Sequence, residues 1–127
     1  MVLYHSLPDA DGRTRERLES LLTDGESLAV AAHRLEWFQR KFDSGLLRSL
    51  ADKMDSRERI ALTDDRIIKF GAGANRQSES HQLDNVSSVK HKRNKVTIEG
   101  SGFDVSFRFN SLDHAGEFAT EVRTAIN

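Results

Sequence analysis

The chain has 127 residues, 37% of them hydrophobic and 31% charged, with 1 Pro, 8 Gly and no Cys. That length suits one domain with a single core, and the composition excludes disordered and collagen-like chains, disulfide frameworks, thiolate zinc sites, iron–sulfur clusters and cysteine nucleophiles. Its 19 basic and 20 acidic residues leave a formal net charge of -1 and no global field for nucleic acid or anionic lipid, so such binding must rest on a local patch.

From Asp11 to Thr23 the pattern is helical: Leu18, Leu21 and Leu22 share a face, and Asp24-Gly25 supplies a terminator. Glu26 to His33 alternates as a strand, with Leu28, Val30 and Ala32 on one side and Ser27, Ala29 and Ala31 on the other. Between Arg34 and Met54 the residues Leu35, Phe38, Phe42, Leu46, Leu50 and Met54 recur at helical steps. Asp43-Ser44-Gly45 interrupts them, which a bent helix or two short helices would satisfy.

Strands follow. Arg59 to Thr63 and Ile67 to Phe70 form a hairpin about the turn at Thr63-Asp64-Asp65-Arg66, and a flexible turn is expected over 71–75. Glu79 to Leu83 and Val86 to Lys92 are further strands, the second ending in the basic turn Lys92-Arg93-Asn94-Lys95. Val96 and Ile98 alternate with polar neighbours, Gly100-Ser101-Gly102 turns the chain, and Phe103, Val105, Phe107 and Phe109 form the clearest period-two run. Asn110-Ser111 caps a last helix whose buried face is traced by Leu112, Ala115, Phe118, Ala119, Val122 and Ile126. The result is a mainly β, α+β chain: an antiparallel barrel or sandwich whose open end the last helix plugs. Residues 1–127 read as one domain, with an N-terminal segment and helix over 1–25, a helical insertion over 34–54 between the first and second strands, and a capping helix over 111–126.

This order of parts resembles the bacterial pleckstrin-homology (PH)-like domains of the YokE-like type. The resemblance is carried by Leu21-Leu22-Thr23-Asp24-Gly25-Glu26, the hairpin Leu62-Thr63-Asp64-Asp65-Arg66-Ile67-Ile68, the stretch Leu83-Asp84-Asn85-Val86-Ser87-Ser88-Val89 and the closing helix with Phe118, and covers 18–33 and 56–127. It implies a barrel of about seven strands in two near-orthogonal sheets, capped by the C-terminal helix, and a non-catalytic binding or assembly module. The 34–54 segment departs from it, being longer than a hairpin loop requires. The basic pattern by which eukaryotic relatives hold phosphoinositide headgroups is not recognisable, so that ligand does not carry over.

Catalytic constellations are missing from the sequence. His5, His33, His81, His91 and His114 include no pair at the spacing of a zinc-protease helix and read as solvated or hydrogen-bonded, so no metal is expected. Asp64 and Asp65 are neighbours in a tight turn and diverge, whereas paired catalytic carboxylates must flank one substrate atom. Gly71-Ala72-Gly73 is a fragment of a phosphate loop with Arg at position 76, and no serine sits in a Gly-x-Ser-x-Gly elbow. Neither enzyme activity nor a cofactor is expected.

Two surfaces remain. Lys90, Lys92, Arg93 and Lys95 form the densest basic cluster, either a charged hairpin tip that protects a sheet edge or an anion-binding site for phosphate, an anionic membrane or an acidic protein. No aromatic residue is interleaved to stack bases, which speaks against nucleic acid. Trp37, Phe38, Phe42, Leu46, Leu47 and Leu50 supply more apolar surface than a loop needs; they either fold back on the barrel or form an interface. The sequence therefore points to a cytoplasmic, non-enzymatic module, with no signal-peptide core in Met1 to Arg17 and no run near the roughly 20 apolar residues of a membrane span. It is expected to self-associate or bind a protein through 34–54, or alternatively to attach to anionic lipid through 90–95.

Overall fold

A computed structural model describes residues 3–33, 58–71 and 77–127. The chain runs through β1 (Leu3–Tyr4), a 3-10 turn at Leu7–Asp9, α1 (Gly12–Leu21), β2 (Leu28–His33), β3 (Glu58–Thr63), β4 (Arg66–Gly71) and β5 (Ser78–Gln82). A 3-10 turn at Leu83–Asn85 leads into β6 (Val86–Lys92), β7 (Lys95–Gly100), β8 (Phe103–Arg108) and α2 (Leu112–Ile126). The helical insertion expected over 34–54, with Trp37, Phe38, Phe42, Leu46, Leu47 and Leu50, lies outside the described residues, as does the expected turn beyond Gly71.

All pairing among the described strands is antiparallel, in a five-stranded sheet of order β1-β2-β3-β4-β5 and a three-stranded sheet β6-β7-β8. The pair β1 is an addition to the strands expected from the sequence, because two residues are too few to display a period. With β1 counted, residues 34–57 separate the second and third strands rather than the first and second.

Strands β1 to β4 of the five-stranded sheet are covered on both faces, whereas β5 is largely exposed. On the inner face Leu3, Val30, Ala32, Ile60, Leu62 and Ile67 pack with Val96, Ile98, Val105 and Phe107 of the second sheet and with Ala115, Phe118, Ala119 and Val122 of α2. Phe109 sits between the sheet and the helix, its ring 5.0 Å from that of Phe107 and 5.3 Å from that of Phe118. On the outer face Tyr4, Ala31, Ala61, Ile68 and Phe70 pack with Ala10 and Leu18 from the segment carrying α1. Ala31 opposes Ala61, which opposes Ile68, so the alanines leave room for α1 to lie close to the sheet.

Two expectations need correction. Leu28 does not share a face with Val30 and Ala32: the register shifts between Leu28 and Val30, and Leu28 packs on the outer cluster. Leu112 has the spacing of the buried stripe but is 60% exposed, because it is the first helical residue and the stripe meets the core only from Ala115 onward. Ser111 caps this helix as expected, its side chain accepting a hydrogen bond from the His114 N–H at 3.1 Å.

Candidate anion-binding face

Alternation along β6, β7 and β8 sends Val89, Val96, Ile98, Val105 and Phe107 toward the core and sends Ser88, Lys90, Lys92, Lys95, Thr97, Glu99, Asp104, Ser106 and Arg108 to the other side. Register then sorts the outward side chains into rows. Lys92 opposes Lys95, which opposes Arg108; Lys90 opposes Thr97, which opposes Ser106; Ser88 opposes Glu99, which opposes Asp104. One end of this face is therefore basic and the other acidic.

The four cations singled out from the sequence do not behave alike. Lys90 is ion-paired with Glu99 at 2.8 Å, and the hydrogen bond and charge of Glu99 raise the Lys90 pKa above its ordinary value. Lys92, Arg93 and Lys95 form no ion pair among the described residues, and neither does Arg108, which the sequence reading did not include. Alternation with Phe103, Val105 and Phe107 was the available signal for Arg108; its place beside Lys95 follows only from the pairing of β7 with β8.

The turn is held in a fixed shape. Arg93 adopts a left-handed backbone at φ 57, and its carbonyl lies 2.6 Å from His91 Nε2. Asn94 is tied twice to Phe109: its carbonyl accepts from the Phe109 N–H at 2.7 Å and its Nδ2 donates to the Phe109 carbonyl at 2.9 Å. The β6–β7 turn and the β8–α2 connection are thereby fastened together at the basic end of the sheet.

Other polar groups are already engaged. A hollow of about 260 Å³ is lined by Thr23, Asp24, Glu26, Asp64 and Asp65, but Glu26 is bound by Arg66 and Thr63 and the Asp64 Oδ1 accepts the Ser27 N–H at 3.1 Å. Thr63 Oγ1 accepts from the Asp65 and Arg66 N–H groups, so this carboxylate pair serves a turn. A second hollow of about 170 Å³ lies by Glu58, Lys69, Gly71 and Ser78, where Lys69 Nζ is 2.9 Å from Glu58 and donates to the Ser106 carbonyl at 3.0 Å.

Beneath α1, His33 and Arg59 are buried. Tyr4 Oη lies 2.9 Å from His33 Nδ1, Arg59 Nε donates to Thr14 Oγ1 at 2.6 Å, and Asp11 stands 3.7 Å from both His33 and Arg59. His81 stacks on Phe103 with ring centroids 3.9 Å apart. Among the described residues no group of three or more His, Cys, Asp or Glu could hold a metal ion, and no helix is long and apolar enough to cross a membrane.

No family model matches the chain, and no curated protein matches it. Among solved structures it is similar to a DUF1696 family protein with a pleckstrin-homology domain from Shewanella loihica PV-4. The two share 13% identity with a TM-score of 0.56, over 90% of this chain and 94% of that one. Two antiparallel sheets closed by a C-terminal helix, superposing on that domain over most of both chains, make the fold PH-like.

Proposed function

We propose that the chain is a non-enzymatic PH-like binding module, of the YokE-like kind suggested by its sequence, and that its working surface is the basic end of the β6–β8 face. The observation that carries this reading is the cross-strand row Lys92–Lys95–Arg108, which has no ion-pair partner among the described residues. Like charges directly opposite one another destabilise a sheet, and Glu99 shows how the same surface neutralises Lys90 where neutrality suffices. An external anionic surface would offset the repulsion in the row. A PH-like fold supports a binding role.

Retention on immobilised heparin tests this. At a net charge of -1 the parent has no global attraction to a polyanion. It is expected to be held at low ionic strength and released as salt screens the face. Lys92→Gln, Lys95→Gln and Arg108→Gln combined should pass through, while Arg13→Gln with Arg15→Glu, an equal loss of three charge units on α1, should elute with the parent. Passage of the parent at low salt overturns the reading. Self-association through 34–54 is the competing outcome, marked by a dimer in light scattering that Trp37→Ala with Leu47→Ser dissociates.

A further inference from the structure

Resting on the basic-face reading, we infer that the anionic surface is a lipid bilayer, with Leu112 as the apolar contact that enters it. Leu112 is the one exposed large hydrophobic residue among the described residues, at 60% exposure. Such a residue alone needs no explanation; its position gives it one. Phe109 is bonded in both directions to Asn94 of the basic turn, and the three residues from Phe109 to Leu112 span at most about 11 Å. Lys92, Arg93, Lys95, Arg108 and Leu112, drawn from two turns and the start of α2, therefore gather at one end of the molecule.

The chemistry of this end suits a fluid anionic surface better than a folded partner. Its cations are two lysines and two arginines, and no exposed Phe, Tyr or Trp of the kind protein interfaces favour stands among them in the described residues, Phe109 being buried. Neither of the two hollows described above is lined by any of these residues. Lysines on an exposed turn, with arginines beside them and an aliphatic side chain at the same end, instead match diffuse negative charge over an apolar layer. Asp113 is the acidic residue in the first turn of α2, and the four cations form no ion pair among the described residues. Each basic residue near an anionic bilayer raises partitioning about five-fold, and burial of Leu112 adds about ten-fold, giving weak and reversible attachment.

Co-sedimentation with vesicles tests the inference. The parent is expected to bind phosphatidylcholine–phosphatidylserine vesicles and to ignore phosphatidylcholine alone. Leu112→Ser should weaken binding about ten-fold while leaving its salt dependence unchanged, because an apolar contact is not screened. Exposure of this position makes the variant safe for folding. Leu112→Trp should show an emission blue shift on the anionic vesicles beyond that of the parent. A parent that heparin retains but both vesicles fail to bind overturns the bilayer and leaves the basic-face reading standing. Vesicle binding in which Leu112→Ser stays within about two-fold of the parent and Leu112→Trp does not shift overturns the apolar contact. Loss of heparin and vesicle binding together removes the basic face itself.

Discussion

Glu26 is the residue through which acid reaches the fold. Its side chain is 2% exposed and accepts from Arg66 Nε at 2.9 Å, Arg66 Nη2 at 3.0 Å, Thr63 Oγ1 at 2.6 Å and the Thr23 N–H at 3.1 Å. Arg66 Nη2 also donates to the Leu21 carbonyl at 2.6 Å, so the pair fastens β4 to the end of α1. Burial works to raise the Glu26 pKa, but the hydrogen bonds from Arg66, Thr63 and Thr23, with the Arg66 charge, overcome it and lower the value from 4.5 to about 2. A folded pKa below the unfolded one means that the contribution is complete above 4.5 and is lost as pH falls toward about 2. Up to about 3 kcal/mol is expected to disappear over that window. Urea unfolding should show this as a falling midpoint, while Glu26→Gln should be weaker at neutral pH and flatter in acid. Parallel pH profiles for the two proteins would contradict the assignment.

At the scale of elements, α2 joins the two sheets on one side and supplies Leu112 on the other. Removing its cap with Ser111→Ala should cost about 1 kcal/mol, read as a lower urea midpoint at unchanged slope. The strands of the second sheet were legible because only one of their faces is apolar: Phe103, Val105 and Phe107 alternate with Asp104, Ser106 and Arg108. In β3 and β4 the strand character was legible but its two covers were not, since Ile60 and Leu62 serve one core while Ala61, Ile68 and Phe70 serve the other. Arg59 shows why the outer cover stayed hidden. A charged side chain reads as surface, yet this one is fully buried beside Thr14, 45 positions away in sequence. Of the candidate site, the basic turn could be read as a cluster, whereas Arg108 and Leu112 join it only through strand register and through the Asn94–Phe109 bonds.

For the molecule as a whole, the unpaired row sets binding against stability. Lys95 stands between Lys92 and Arg108 across the strands, so Lys95→Glu converts two repulsions into two attractions. The variant should unfold about 0.5–1 kcal/mol later in urea, with a gain that shrinks in high salt, and should lose heparin retention at the same time. Lower stability on that exchange would remove the case that the row is kept for a ligand.

The double covering of β2 and β3 has one more consequence. Val30, Ala31, Ala32, Ile60, Ala61 and Leu62 admit almost no change, since whichever way each points it meets packed neighbours. Alternate positions along β6, β7 and β8 are tethered to the interior only through their backbone. A descendant could rewrite the chemistry it presents to the outside, charge by charge, across those three strands while inheriting the frame intact.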